Sequence, residues 1–172
     1  NTTCITPPPP PANDNCTTAT IAPVNTDGTC ALVTPGTVSG ATPSSQANAC
    51  VGTADDDVWY QFTATNTMHT IDLQNVAGTS TDLNHAVYTS TNTADLCGTL
   101  TQVLCSNPNF SVVSGLTVGQ TYFIRIYTAV NTPLQDTTFN LCISVPPPPP
   151  ANDECTNATV APVNILNVCN DV

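Results

Sequence analysis

Three groups of residues in this chain could do chemistry: nine cysteines, the run Asp55-Asp56-Asp57, and the histidines His69 and His85. Nine thiols in so short a chain either bind metal or close disulfides. Zinc sites need closely spaced cysteine pairs or cysteine–histidine clusters. No C-x-x-C occurs, and neither histidine stands where a finger ligand would. Disulfides formed in an oxidising compartment are the expectation, at Cys16, Cys30, Cys50, Cys97, Cys105, Cys142, Cys155 and Cys169. No cysteine sits beside a basic residue that would lower its pKa, so a reactive thiol is not expected. The three adjacent aspartates repel one another, and a bound cation would relieve that. With Asp82 they form a candidate calcium set, the one cofactor the sequence suggests. The competing reading has Asp57 hydrogen-bonding a turn and the others solvated, because neighbouring residues of a strand face opposite ways.

Catalysis leaves no signature. A nucleophilic triad needs a serine or cysteine, a histidine and an orienting acid brought together. No Gly-x-Ser-x-Gly elbow or His-Glu-x-x-His motif is present, and most aspartates fall in turns. The chain reads as a non-enzyme. Trp59 and Tyr60 could form a sugar-stacking platform, but adjacent strand residues cannot both face solvent, and Trp59 is assigned to the core.

Charge excludes whole partner classes. The chain holds one Arg, no Lys and 12 acidic residues, for a net charge of -11. Arg125 alone cannot build a phosphate-binding surface, so nucleic acid is excluded and an anionic membrane surface disfavoured. No apolar run is long enough to insert in a membrane. Solubility must rest on neutral polar groups, and 31 threonines supply them. Threonine is β-branched and suits a half-exposed strand, so the composition is all-β.

A repeat organises the chain. Residues 7–16 read PPPPPANDNC and residues 146–155 read PPPPPANDEC, and 18 of the 27 positions from Pro7 to Val33 match those from Pro146 to Val172. The offset from Pro7 to Pro146 holds throughout the match, and a fixed offset predicts an array of modules. It divides the chain into the end of one repeat (1–6), a polyproline linker (7–11), a complete repeat (12–145), a second linker (146–150) and the start of a further repeat (151–172). Residue 1 reads as an internal point of a longer precursor. Five prolines favour a stiff polyproline II spacer of roughly 15 Å.

Short apolar or alternating runs within the repeat predict strands at Val58–Phe62, Thr70–Leu73, His85–Tyr88, Leu100–Leu104, Phe110–Val113, Tyr122–Tyr127 and Phe139–Val145. Turns are expected at Asn75–Thr81, Asn107–Asn109, Gly115–Gln120 and Asn131–Pro133. This spacing means a disulfide-stapled jelly-roll or immunoglobulin-like β-sandwich, repeated in tandem with polyproline linkers. A period of two in the strand Tyr122–Tyr127 puts Phe123, Arg125 and Tyr127 on a face expected to be partly exposed. Six cysteines in one repeat allow fifteen pairings. Cys97 with Cys105 is the most local, Cys16 and Cys30 recur together as Cys155 and Cys169, and Cys50 with Cys142 is then left over. Cys4 is either the orphan of the preceding repeat or a link between repeats.

Four stretches carry a family resemblance: Asp57-Val58-Trp59-Tyr60-Gln61-Phe62, Thr81-Asp82-Leu83 ahead of Ala86-Val87-Tyr88, Cys97-Gly98-Thr99-Leu100 to Cys105, and Gly115 to Arg125. Together, over about residues 11–145, they resemble the bacterial pre-peptidase C-terminal-like domain. The Ala12-Asn13-Asp14-Asn15-Cys16 opening behind prolines resembles versions strung along large secreted proteins of Bacteroidota. That resemblance implies a jelly-roll-like sandwich, secretion and a non-catalytic accessory or surface role. N-x-S/T sequons at Asn1, Asn15, Asn109 and Asn157 are candidate glycan sites. Thr137, in Asp136-Thr137-Thr138, resembles an O-glycan acceptor.

The preferred function is a structural repeat of an extracellular filament or adhesin stalk at the cell surface. Glycan decoration is expected, and the expected partners are neighbouring repeats or copies of the chain itself. The alternative is a carbohydrate- or protein-binding accessory module of a secreted protein.

Overall fold

A computed structural model describes residues 6–47, 50–132 and 134–161. Three short strands open the fold: β1 (Thr20–Ile21), β2 (Val24–Asn25) and β3 (Thr34–Thr37). Seven longer ones follow: β4 (Val58–Thr63), β5 (Met68–Ala77), β6 (Leu83–Ser90), β7 (Leu100–Ser106), β8 (Phe110–Ser114), β9 (Thr121–Thr128) and β10 (Thr138–Ser144). All seven expected strands form. β5 runs past the turn expected at Asn75, because Asn75 adopts φ 52 and the pairing with β10 shifts register opposite it between Thr138 and Asn140. Asparagine tolerates that left-handed conformation, so the strand continues through a bulge.

The strands make two sheets, in the order β1-β4-β9-β6-β7 and β2-β10-β5-β8, with β3 also paired to β10. The pairs β1–β4 and β2–β10 are parallel and the remainder antiparallel. Between the sheets lies the main core, which includes Val58, Tyr60, Phe62, Ile71, Leu83, Val87, Ile124, Ile126, Leu141 and Ile143. The fold is an all-β sandwich, as the strand spacing predicts.

The outer face of the first sheet departs from expectation, because Phe123, Arg125 and Tyr127 are all buried. Trp59 is buried as expected, and Tyr60 is buried with it. Tyr60 joins the inter-sheet core, whereas Trp59 packs outside the sheet with Ala86, Tyr88, Phe123 and the Cys16–Cys97 pair. Irregular chain covers this second core. Trp59 N donates to Asn13 O at 2.8 Å, and Asn13 Nδ2 donates back to Trp59 O at 2.9 Å. Asp14 holds Thr42 through its backbone N and hydroxyl, and Tyr127 Oη donates to Val51 O at 2.6 Å. A sheet covered on both faces has no half-exposed strand, which is why a period of two misjudges the face.

The three disulfides among the described residues all differ from the expected pairings. Cys16 joins Cys97, Cys30 joins Cys142 and Cys50 joins Cys105. The recurrence of Cys16 and Cys30 marks a shared segment, not a shared bond: each ties the N-terminal stretch to a different part of the sandwich. Cys155 is exposed and carries no disulfide among the described residues; Cys4 and Cys169 lie outside them.

The N-terminal prolines lie against the sandwich. A Cβ added at Gly40, where φ is +76, would stand 2.6 Å from Pro9 O and 2.7 Å from Pro8 O. Only glycine fits there, on both conformational and steric grounds.

Candidate functional site

The most polar part of the interior is built around the only arginine. Arg125 lies in the middle of β9, in register with Trp59 of β4 on one side and Ala86 of β6 on the other. That places a guanidinium on the outer face of the first sheet, where the covering chain seals it from water. Its Nε donates to Asp57 Oδ2 at 2.9 Å, with side chains 2% and 0% exposed, and Nη1 donates to Gln46 O at 2.9 Å. The guanidinium carbon sits 5.3 Å from the Trp59 ring centroid, a cation–π distance. Asp57 also accepts from Trp59 Nε1 at 2.8 Å and from Ser44 N at 2.8 Å. One carboxylate thus joins the covering loop, the indole and the lone arginine.

A cavity of about 490 Å³ opens next to this network. Tyr88, Gln46, Ser45, Thr17, Thr99 and Asp95 bring hydroxyl, amide and carboxylate groups to its wall, beside the Cys97 end of a disulfide. Tyr88 is 3% exposed, and its hydroxyl forms no hydrogen bond of proper geometry. Burial raises the Tyr88 pKa, and the nearby Arg125 guanidinium opposes that rise. The hydroxyl oxygen itself is shielded, so the polar groups that face the cavity are those of the exposed Thr17, Thr99 and Asp95. A second cavity, of about 630 Å³, lies between Pro7, Pro8 and Pro10 and the chain at Val38–Thr42 and Leu134–Asp136.

The aspartates singled out in the sequence do not converge on one point. Asp56 accepts from Thr128 N at 3.0 Å and Thr128 Oγ1 at 2.7 Å; its pKa is raised, chiefly by burial. Asp57 serves Arg125, while Asp82 is exposed just ahead of β6. Asp55 carries one shielded oxygen without a partner. Among the described residues no group of three or more His, Cys, Asp or Glu is placed to hold a metal ion.

The histidines are both buried and serve different ends. His69 Nε2 accepts from the backbone N–H groups of Thr65 and Asn66, so its Nδ1 donates to Ser144 O at 3.2 Å. His85 reaches across the sandwich from β6 to Ser111 of β8, Nε2 to Oγ, at 2.6 Å. This serine–histidine pair is not legible from sequence. The ring's Nδ1 has no partner, so no acid orients it as hydrolytic chemistry requires.

Among the glycan candidates, Asn15 and Asn157 are exposed and Asn109 is half-buried, while Asn1 lies outside the described residues. Thr137 is a correction. It is fully buried and its hydroxyl donates to Ser80 O at 2.6 Å, which leaves no room for a sugar.

A family model described as galactose binding domain-like and associated with T9SS, the type IX secretion system, matches residues 12–141. The chain belongs to this family. The galactose-binding-like family, and not specifically the pre-peptidase C-terminal-like domain, is what the match supports. The match is consistent with the Bacteroidota β-sandwich implied by the sequence. Domains of the galactose-binding-like family are generally non-catalytic, and their T9SS association together with three disulfides points to a secreted or extracellular protein. No helix among the described residues is long and apolar enough to cross a membrane. No curated protein matches the chain.

Proposed function

We propose that this galactose-binding-like domain is a non-catalytic structural module, one of a series in a large secreted surface protein, with polyproline segments between modules. The observation that carries the reading is that the module's opening segment occurs twice, in two environments. In the first copy, a turn closed by Asp14 N to Pro11 O leads to a 3-10 turn, Cys16–Thr18. In the second, Asp153 N bonds Pro150 O at 3.0 Å and the 3-10 turn is Cys155–Asn157. The first copy buries Asn13, Asp14 and Cys16 against its sandwich, whereas the second leaves Asn152, Asp153 and Cys155 exposed. The second copy keeps the shape and the residues of a module's start without a sandwich beneath it, which fits a following module. Its partners in this reading are neighbouring modules, and exposed sequons such as Asn15 carry the glycans.

Electron microscopy of native, unreduced material tests this. The expected result is a thin fibre with one bead per sequence repeat; isolated globular particles overturn it.

The hydroxyls of Thr17 and Thr99 and the Asp95 carboxylate support a second role, recognition of a neutral sugar in the 490 Å³ cavity. Thr99→Val then weakens binding of the sugar found by glycan-array screening about tenfold, a factor equal to the ~1.4 kcal/mol of one hydrogen bond. Calorimetry measures the change, and equal affinities for the two proteins overturn this role.

A further inference from the structure

We propose that the disulfide pattern makes the module a tension clamp: when the chain is pulled through its two proline segments, the Cys30–Cys142 bond carries the force around the sandwich and leaves residues 31–141 unloaded. The proposal rests on the structural reading above for its biological use, but its mechanics belong to the single chain.

Force that enters at Pro11 passes first along β1 and β2 and leaves through β10. β2 runs parallel to β10, with Val24 opposite Ile143 and Asn25 opposite Ser144. Pulling the N-terminal end of one and the C-terminal end of the other therefore shears the pair, and every hydrogen bond between them is strained at once. Val145 N to Asn25 O at 3.0 Å and Asn25 Nδ2 to Ile143 O at 3.0 Å add to that set. Shortly beyond β2 stands Cys30, bonded to Cys142 inside β10 with 5.7 Å between their Cα atoms. If the strand pair yields, this bond is the next element to become taut.

Connectivity then fixes the reach. The shortest covalent path through the oxidised module runs from Pro11 to Cys30, crosses the bond, and continues from Cys142 to Pro146. At roughly 3.5 Å per residue its contour is about 80 Å. By the same measure the uncrosslinked chain from Pro11 to Pro146 has a contour of about 470 Å. The other two bonds lie off the shortest path. Cys16–Cys97 offers a longer route and Cys50–Cys105 only closes a loop within the shielded part.

The test is single-molecule force spectroscopy of the full chain, pulled through click-reactive residues placed at positions 11 and 146. Oxidised protein is expected to extend by no more than the contour of that path, about 80 Å across the module. Reduction with dithiothreitol frees the whole chain, and the extension then approaches about 470 Å. With both Cys30→Ser and Cys142→Ser, the shortest path runs from Pro11 to Cys16 and from Cys97 to Pro146, and the limit rises to roughly 190 Å. With both Cys16→Ser and Cys97→Ser it stays at about 80 Å. An extension beyond about 100 Å in oxidised wild-type protein, or equal limits for the two double variants, overturns the proposal. Wild-type protein compared with and without reductant decides the matter even if a variant does not fold. Because one chain is pulled, a negative result here is distinct from failure to find a fibre by microscopy.

Discussion

Arg125→Met is expected to cost about 3–5 kcal/mol of stability. The cost comes less from the lost ion pair than from what is left behind. Asp57 is 0% exposed, and without the guanidinium its charge stays in a site closed by Trp59, Ser44 and the covering loop. Gln46 O loses its donor, and the Trp59 ring loses its cation. A domain of this size has roughly 5–15 kcal/mol in total, so the variant sits near the unfolding threshold. Combining Arg125→Met with Asp57→Asn removes the stranded charge and keeps an acceptor for Trp59 Nε1. The double variant should regain at least ~1 kcal/mol over the single one. Urea unfolding at pH 7 with disulfides intact measures both. A single-variant loss under ~1 kcal/mol, or strict additivity, would show that the pair is a passenger.

Mild acid is the second strong perturbation. Burial pushes the His85 pKa from its ordinary 6.5 down to about 4. The imidazolium would need two acceptors, and the site offers Ser111 Oγ alone. The unfolded chain binds a proton near pH 6.5 and the folded one does not until about pH 4, so stability is full above 6.5 and falls between those values. A gap of about 2.5 pH units at 1.36 kcal/mol each amounts to about 3 kcal/mol. His69 acts in the same direction, because its lowered pKa also reflects burial. Asp56 opposes both near the bottom of the range, since its raised pKa favours the folded state as pH drops towards 3.8. Thermal unfolding from pH 7.5 to 4.5 should show the fall, and His85→Leu should flatten most of it. An unchanged slope in that variant would assign the acid sensitivity elsewhere.

Both perturbations act on features that the sequence shows only in part. The seven long strands are legible because β-branched and aromatic residues alternate between turn residues, as in Tyr122–Tyr127. What covers the first sheet is not, because Asn13, Gln46 and Val51 belong to irregular chain with no period to read. The Arg125–Asp57 pair does have a signal. A single arginine inside an apolar strand needs an anion, and Asp57 directly precedes the strand that pairs with it. The charge density of Asp55–Asp57 suggests calcium instead and so hides the partner that is a side chain. The disulfides escape a local reading because closeness in sequence is not closeness in space: the bonds span 81, 112 and 55 residues. Tyr88 and the His85–Ser111 pair depend on how two sheets and their covering chain face each other, which no local pattern encodes.

The burial of Arg125 also has a consequence for proteolysis. Trypsin-like proteases cut after lysine or arginine. This chain has no lysine, and its one arginine is 1% exposed in the centre of a sheet. The folded module therefore offers that protease class no cleavage site, and lysine-directed chemistry finds no side-chain amine to modify. By confining its only arginine to the interior, the folded module withholds from trypsin-like proteases the side chain they require.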